Sequence, residues 1–268
     1  MTHSRYMPSH PLLKNIVRYF AFQPFDGTGN SNHWMTLFPN CTTNLCIVLD
    51  SCLVTNESSK INNSISTSCI SPVTFSRCHS FELIVIQLEP YGFHSLVGLP
   101  MKHYKNSFLK LDDFFTLSEL DKLYNQLYET KNSSLRVKLL EDFLLTHLQQ
   151  EQVDGRVLFA TRQIHRNPNT QLDEIIKYLN ISARRLRDLF STHLGISPKH
   201  YSRLSRFNHV TARVTNNKSS LTEIALATGY FDQAHFIREF REFGGLSPNQ
   251  FRKLSDKNAE FYNFEKQE

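Results

Sequence analysis

The stretch that decides the fold of the C-terminal half reads SLTEIALATGYFDQAHFIREFREFGGLSPNQFR over residues 220–252. A related stretch, QLDEIIKYLNISARRLRDLFSTHLGISPKHY, precedes it over residues 171–201. The copies are 49 residues apart at their start, from Leu172 to Leu221, and 50 apart from Leu186 to Phe236. One residue has therefore been added in the bend between two short helices. Such a repeat predicts two helix-turn-helix elements side by side.

Start and stop signals set the expected limits of these helices. Ser220 followed by Glu223 predicts a capping box, and Thr170 followed by Asp173 predicts a weaker one. The second helices are then expected over residues 183–194 and 233–243. Their signals are the N-cap residues Ser182 and Asp232, the glycines Gly195 and Gly245 that end them, and the Ser-Pro starts at Pro198 and Pro248.

Apolar residues recur at helical spacing and are expected to face a core. In the first helices they are Leu172, Ile175, Ile176 and Leu179, and then Leu221, Ile224, Ala225 and Ala227. In the second helices they are Leu186, Leu189 and Phe190, and then Phe236, Phe240 and Phe243. Between the copies, one helix is expected from Pro198 to about Asn216, with Tyr201, Leu204, Phe207, Val210 and Val214 on one face. At 1.5 Å per residue its length is about 28 Å.

The outward faces of the second helices carry side chains that suit DNA. Arg pairs with guanine edges, Gln pairs with adenine edges, and an apolar tip contacts the thymine methyl group. A single exposed Arg is ordinarily solvated, but two equivalent helices with Arg and Gln in the same frame favour DNA contact. The base-contact candidates are Arg184, Arg185, Arg187, Asp188, Gln233, His235, Ile237 and Arg238. The phosphate-contact candidates are Ser182, Lys199, Arg203, Asp232, Arg241, Asn249 and Arg252.

Charge is divided unevenly along the chain. Residues 156–257 hold 17 Lys+Arg against 8 Asp+Glu, a net charge of +9, whereas residues 1–155 hold 12 against 14, a net charge of −2. A basic half favours a polyanionic partner, and double-stranded DNA is the partner expected. Successive major grooves on one DNA face lie about 34 Å apart. The joining helix could therefore hold both second helices in adjacent grooves without a dimer.

Residues 156–257 resemble the DNA-binding domain of the AraC/XylS family of bacterial transcription regulators. The second copy carries the resemblance in Ile224-Ala225, Gly229-Tyr230, His235-Phe236, Phe240-Arg241, Gly245-Leu246-Ser247-Pro248 and Phe251-Arg252. The resemblance implies two helix-turn-helix units joined by a long helix, with the outward residues facing bases. The first copy departs from the family pattern at Asn180, where the bend usually has glycine, and at Asp188. An aspartate accepts a hydrogen bond from cytosine but repels phosphate.

The first 155 residues have a different pattern. Short apolar runs at 34–38, 43–49, 73–75 and 81–88, separated by Asn, Ser, Gly and Pro, predict strands and turns. Two amphipathic helices follow as a hairpin, with leucine-rich faces and a bend at residues 131–133. The faces consist of Leu117, Leu120, Leu123 and Leu127, and of Leu135, Leu139, Phe143 and Leu148.

These patterns together predict an α+β protein with a sensor or dimerisation domain over residues 1–155. The DNA-binding domain follows over 156–257, and a polar tail over 258–268. The β-rich half resembles the sensor half of many AraC-type regulators. Phe38-Pro39-Asn40, Leu88-Glu89-Pro90-Tyr91-Gly92 and Phe114-Phe115 carry a resemblance to one class of N-terminal domains attached to them.

Other sequence features bound the chemistry. The five cysteines are Cys41, Cys46, Cys52, Cys69 and Cys78, and neither their spacing nor the nearby His33 and His79 predicts a metal site. No cofactor or metal is expected, and burial in a reducing cytoplasm is favoured over redox sensing by Cys41 or Cys46. We expect a cytoplasmic, nucleoid-associated protein without signal peptide or membrane span.

Two alternatives remain open at this point. Catalysis is disfavoured because the chain has no phosphate-binding glycine loop or catalytic motif, and because His94, His103 and Glu89 are ordinary polar residues. The nearer alternative is a regulator without an effector, whose N-terminal half only self-associates or contacts RNA polymerase. A small-molecule effector and a homodimer are the other candidate partnerships, and the hairpin at 117–149 suits either dimerisation or docking on the DNA-binding half.

Overall fold

The computed structural model describes residues 5–25, 35–50, 53–55, 60–61, 63–66, 72–77, 80–104, 108–149, 153–216, 219–255 and 261–262. They form two compact units. Unit 1 comprises the described residues within 1–34, 42–67 and 75–153, and unit 2 those within 35–41, 68–74 and 154–268. Unit 1 contains an antiparallel sheet and unit 2 is mainly helical, which confirms the predicted α+β class.

The elements are numbered in chain order. The strands are β1 (Arg5–Tyr6), β2 (Val17–Phe25), β3 (Met35–Leu37), β4 (Thr43–Leu49), β5 (Leu53–Thr55), β6 (Lys60–Ile61), β7 (Asn63–Ser66), β8 (Val73–Arg77), β9 (Phe81–Leu88), β10 (Phe108–Lys110) and β11 (Phe261–Tyr262). The helices are α1 (Gly92–Val97), α2 (Leu117–Glu129), α3 (Ser133–His147), α4 (Gly155–Arg166), α5 (Leu172–Leu179), α6 (Ala183–Leu194), α7 (Pro198–Asn216), α8 (Leu221–Ala227), α9 (Gln233–Gly244) and α10 (Pro248–Ser255).

Unit 1 is built on a six-stranded antiparallel sheet in the order β1-β2-β9-β4-β7-β10. Its central register sets Phe20 of β2 and Leu45 of β4 opposite Ile86 of β9. Every residue of β4 is buried, which a central strand achieves only when both faces of the sheet are covered. A smaller antiparallel group pairs β5 with β6 and β8. The strands expected at 43–49 and 81–88 are confirmed, and Trp34 of the first expected strand lies outside the described residues.

The helical hairpin of unit 1 is confirmed, but the predicted face of its second helix is wrong. In α2 the predicted residues Leu120, Leu123 and Leu127 are buried in the core, whereas Leu117 is 66% exposed. In α3 the buried apolar residues are Val137, Leu140 and Leu144, while Leu135 is 56% exposed, and Leu139, Phe143 and Leu148 lie only at the core edge.

Two buried ions explain the error in α3. The Arg136 guanidinium lies 2.6 Å from Glu82 Oε1, and the Glu141 carboxylate accepts hydrogen bonds from Ser9 N–H and Oγ at 2.5 and 2.6 Å. These partners let charged residues occupy the inward face. A prediction from hydrophobic periodicity places charged residues on the solvent side. The predicted inward face of α3 was therefore rotated away from the face that is buried.

Unit 2 is organised around α7, which covers the range predicted for the joining helix. All five residues predicted for its inward face are buried, as are the inward residues of α6 and α9. They are Tyr201, Leu204, Phe207, Val210 and Val214 in α7, Leu186, Leu189 and Phe190 in α6, and Phe236, Phe240 and Phe243 in α9. Ala227, expected inward in α8, is exposed at the helix end.

The N-cap of α8 is the predicted residue, whereas the N-cap of α5 is not. Ser220 Oγ accepts from Glu223 N–H and forms the predicted capping box at α8. Thr170 is not a cap, because α5 begins after Gln171, which caps without a side-chain hydrogen bond. The Thr170 N–H instead donates to Asn167 O at 3.0 Å and closes the turn that follows α4.

A segment from the N-terminal half of the sequence is part of unit 2. Phe38 is buried with its ring centroid 5.1 Å from that of Phe251 in α10. The side-chain amide of Asn208 in α7 donates to Pro39 O at 3.1 Å and accepts from Cys41 N–H at 3.2 Å. Strand β3 pairs in parallel with β11. Residues 35–41 thus pack on the same helices that carry the repeat.

The described ranges contain neither a membrane-spanning helix nor a metal-binding cluster. No helix there is long and apolar enough to cross a membrane. No group of three His, Cys, Asp or Glu side chains there is arranged to hold a metal ion. Cys41 and Cys46 are buried and are not joined in a disulfide, and the other three cysteines lie outside the described residues.

The bends of the two repeats predict different responses to substitution. Asn180 (φ 49) and Gly229 (φ 77) both have left-handed backbone, and a Cβ at Gly229 would lie 2.1 Å from Asn169 Oδ1. We expect Gly229→Ala to destabilise the protein by about 2 kcal/mol, from left-handed strain and displacement of Asn169. Asn180→Gly, the matched control, should change stability by less than about 1 kcal/mol. Thermal melting of the full chain tests this, and equal melting temperatures for Gly229→Ala and wild type would contradict it.

Candidate nucleic-acid interface

Two equivalent helices of unit 2, α6 and α9, carry the residues expected to contact DNA. We call them the reading helices. Each begins at a capped N terminus: Ser182 Oγ accepts from Arg185 N–H at 3.1 Å, and Asp232 Oδ1 accepts from His235 N–H at 2.6 Å. Both end at the predicted glycines, Gly195 and Gly245, in left-handed conformation. The caps therefore set the same frame in both helices.

The residue added to the second copy is Phe231. Ile181 and Tyr230, 49 residues apart, donate equivalent backbone hydrogen bonds to the preceding helix. The next N-cap residues, Ser182 and Asp232, are 50 residues apart. Phe231 is the extra residue between them, and it is 89% exposed. An insertion in the bend leaves both helices intact, as the sequence predicts.

Most base-contact candidates lie at the surface. Arg184, Arg185, Arg187 and Asp188 on α6, and Gln233 and Arg238 on α9, are exposed. His235 and Ile237 are half-buried, and His235 Nε2 lies 4.0 Å from the Glu239 carboxylate. Gln233 Oε1 accepts a hydrogen bond from Thr222 Oγ1 of α8 at 3.2 Å. Each reading helix thus presents four candidates in equivalent turns.

The phosphate-contact candidates divide into two groups. One group is exposed at the surface: Lys199 and Asn249 at the starts of α7 and α10, and Arg241 on α9. Ser182 and Asp232 use their side chains as N-caps. Arg203 and Arg252 are engaged inside unit 2: Arg203 pairs with Glu239 at 2.8 Å and with Glu242, and Arg252 donates to Val214 O at 3.2 Å and Ser219 O at 3.1 Å. Both arginines therefore stabilise the packing of unit 2.

Helix α7 fixes both reading helices through aromatic contacts. Tyr201 meets Phe190 of α6 edge to face, with ring centroids 5.8 Å apart. Two turns further along, Phe207 meets Phe240 and Phe243 of α9 at 5.2 and 5.5 Å. One continuous helix therefore contacts both reading helices.

Comparison with known proteins identifies this arrangement. A family profile described as a helix-turn-helix domain matches residues 175–254, which include both reading helices. The C-terminal part of the chain is an AraC-type helix-turn-helix domain. This confirms the resemblance stated from the repeat.

The chain is also similar in sequence to proteins named as regulators. An uncharacterized HTH-type transcriptional regulator of Haemophilus influenzae is 27% identical over 174 residues, or 64% of this chain and 56% of that protein. The melibiose operon regulatory protein of Escherichia coli is 26% identical over 91 residues, or 34% of this chain and 30% of that protein. The chain thus covers about half or less of the length of these relatives.

Among solved structures, ToxT from Vibrio cholerae has the same fold over most of the chain. The match has a TM-score of 0.50 at 12% identity and covers 87% of this chain and 98% of ToxT. A transcriptional regulator with an AraC-type DNA-binding domain from Chromobacterium violaceum is 24% identical, with a TM-score of 0.37, over 39% of this chain and 95% of that one. The ToxT match supports the predicted two-part fold.

The AraC-type domain contains a buried carboxylate that the sequence pattern did not reveal. Glu239 of α9 is 4% exposed and accepts from Tyr230 Oη at 3.0 Å and from Arg203 at 2.8 Å. Its Oε1 also lies 3.7 Å from Arg206 Nη1 of α7. Burial, together with the adjacent Glu239 carboxylate, raises the pKa of the Tyr230 hydroxyl, so it stays a donor. The sequence feature that could have revealed Glu239 is its position on the inward face of α9, between Phe236 and Phe240.

Because Glu239 connects α9 to α7, its removal should destabilise the AraC-type domain. We expect Glu239→Ala to cost about 3 kcal/mol, since Arg203, Arg206 and Tyr230 lose a buried acceptor. The matched control is Glu242→Ala, whose carboxylate is half-exposed and pairs with Arg203. That control should cost less than about 1 kcal/mol. Urea unfolding checks both values, and an equal loss in the two variants would refute the role assigned to Glu239.

Proposed function

We propose that the protein is a sequence-specific DNA-binding transcriptional regulator that contacts two adjacent major grooves with α6 and α9. The observation that supports this most is the attachment of both reading helices to one continuous buried helix, α7. Nineteen residues at 1.5 Å each give α7 a length of about 28 Å. That length is close to the groove spacing of about 34 Å, which supports contact of one chain with both grooves.

The exposed chemistry of the two faces supports different roles. Helix α6 presents three arginines, which suit guanine edges and phosphates, together with Asp188, which suits a cytosine amino group. Helix α9 presents Gln233 and Arg238, with Ile237 beside them. The net charge of +9 over residues 156–257 attracts the phosphate backbone irrespective of sequence. Base selectivity is then expected mainly from the side chains named here.

Base contacts and phosphate contacts should separate in a salt series. We expect Gln233→Ala and Arg238→Ala to weaken binding to the preferred site by about 1–3 kcal/mol and to leave random DNA nearly unaffected. Lys199→Ala should weaken both alike and should reduce the slope of log affinity against log salt by about 1.

Gel shift with the full chain, on a site selected from random duplexes, measures these effects. Lys199 serves as the phosphate control because Arg252 donates to backbone carbonyls, and its removal would alter stability as well. Equal losses on selected and random DNA for Gln233→Ala would contradict the assignment of α9. A flat salt response would contradict DNA binding itself.

The N-terminal half is proposed to modulate this activity through an effector, a second copy of the chain or RNA polymerase. Self-association through the hairpin is the second candidate role, and the exposed leucines favour it. Leu117 and Leu135, at the starts of α2 and α3, are 66% and 56% exposed, whereas Leu120 is buried and therefore unsuited to a partner. A leucine exposed at this level is available for contact without unfolding of the core.

We expect the double change Leu117→Asp and Leu135→Asp to lower the sedimenting mass of the full chain if the hairpin associates, because a charge at each contact opposes burial. Circular dichroism should be unchanged, since both side chains lie outside the core. Leu120→Asp is the contrasting variant and should lose the fold, because it places a charge in that core. A folded double variant of unchanged mass would remove the hairpin from self-association.

A further inference from the structure

The side-chain contact between the two helices of the second helix-turn-helix unit involves a predicted base reader. Thr222, the second residue of α8, donates its hydroxyl hydrogen to Gln233 Oε1 at 3.2 Å. Gln233 is the first residue of α9, and both side chains are exposed. The N-terminal end of a recognition helix is where side chains meet base edges. The contact is therefore located where specificity is determined.

Thr222 is suited to hold another side chain. Threonine has two common χ1 rotamers in a helix, so its hydroxyl is restricted to two directions. A threonine inside a helix often bonds the carbonyl four residues earlier, but Thr222 lies in the first turn of α8, and the residue four positions before it precedes that helix. Its hydroxyl is directed to Gln233 instead. Gln233 is long and flexible, and without this bond it would lose much rotamer freedom on contacting a base.

We propose that Thr222 is a positioning residue that presents Gln233 to DNA as a hydrogen-bond donor. The inference rests on the proposed function. Because Oε1 accepts from the Thr222 hydroxyl, this end of the amide is directed at α8, and the NH2 group is the end directed at a base edge. A free glutamine pairs with adenine through both its donor and its acceptor. The positioned Gln233 favours guanine, whose N7 and O6 both accept, and thymine, whose O4 accepts. Adenine offers one acceptor, N7, beside an amino donor that the NH2 group cannot pair with, and cytosine offers only a donor.

The first helix-turn-helix unit has no equivalent of this pair. The residue equivalent to Thr222 is Asp173, 49 positions earlier, and the residue equivalent to Gln233 is Ala183, 50 positions earlier. Helices α5 and α8 begin at equivalent positions, and the capping box of α8 is formed by Ser220 and Glu223, so the start of α8 does not depend on Thr222. The pair is therefore an addition to the shared frame, and it concerns the base contacts of the second unit alone.

The test uses the full chain and a duplex selected from a randomised library. Comparison of wild type with Gln233→Ala first identifies the base pair at which preference is lost, and all four bases are then placed there. We expect wild type to bind guanine or thymine at least about fivefold more tightly than adenine at that position. Thr222→Ser keeps the hydroxyl and should keep this ratio. Thr222→Val, nearly identical in shape, should lose it and move the preference towards adenine.

A double variant separates positioning from helix stability. In the Gln233→Ala background, Thr222→Val should have no further effect on base preference, because the side chain it positions is absent. Random-DNA affinity and melting temperature should be the same for Thr222→Val and wild type. An unchanged base ratio in Thr222→Val, a wild-type preference for adenine, or an equal shift in the Gln233→Ala background would overturn the proposal.

The remaining outcomes distinguish this proposal from the proposed function. If Gln233→Ala changes preference at no base pair while the wild type still selects a site, the positioning role is refuted and DNA binding stands. If the wild type selects no sequence over random duplex, both are refuted.

Discussion

The packing of α7 against the two reading helices is the contact on which the rest of unit 2 depends. Tyr201 against Phe190 and Phe207 against Phe240 attach α6 and α9 to the same helix, at positions six residues apart. Buried aromatic rings resist small displacements because interiors are close-packed. Base recognition needs side chains held to within a fraction of an ångström, and a single rigid helix provides this for two faces at once.

The two repeats share a frame but differ in what holds them. Where α6 has the buried Leu189, α9 has the buried carboxylate of Glu239, which joins Arg203, Arg206 and Tyr230. An ion cluster requires directional hydrogen bonds, whereas a leucine packs in many arrangements. The orientation of α9 against α7 is therefore restricted by directional bonds, whereas Leu189 restricts α6 by packing alone. Gln233, a base-contact candidate of the second unit, also accepts a hydrogen bond from Thr222 of the neighbouring helix α8.

The helices and their ends were predictable because their causes are local. Ser182, Asp232 and the terminal glycines act within one turn, and the limits of α6 follow from them. The prediction of a buried face failed where burial depends on partners far away in the sequence. The inward face of α3 contains Arg136 and Glu141, whose partners Glu82 and Ser9 are far away in sequence. Periodicity carries no information about such pairs.

By itself, the sequence determined the repeat, the reading helices, the joining helix and the outward residues, because helical periodicity and capping depend on neighbours a few positions away. Only the tertiary structure decided which candidates have other partners. Arg203 and Arg252 look like exposed cations in sequence, yet they bond to Glu239 and to backbone carbonyls. It also decided that Phe38 belongs with Phe251. Contacts between residues far apart in the chain depend on how the elements pack, and packing is a property of the whole fold.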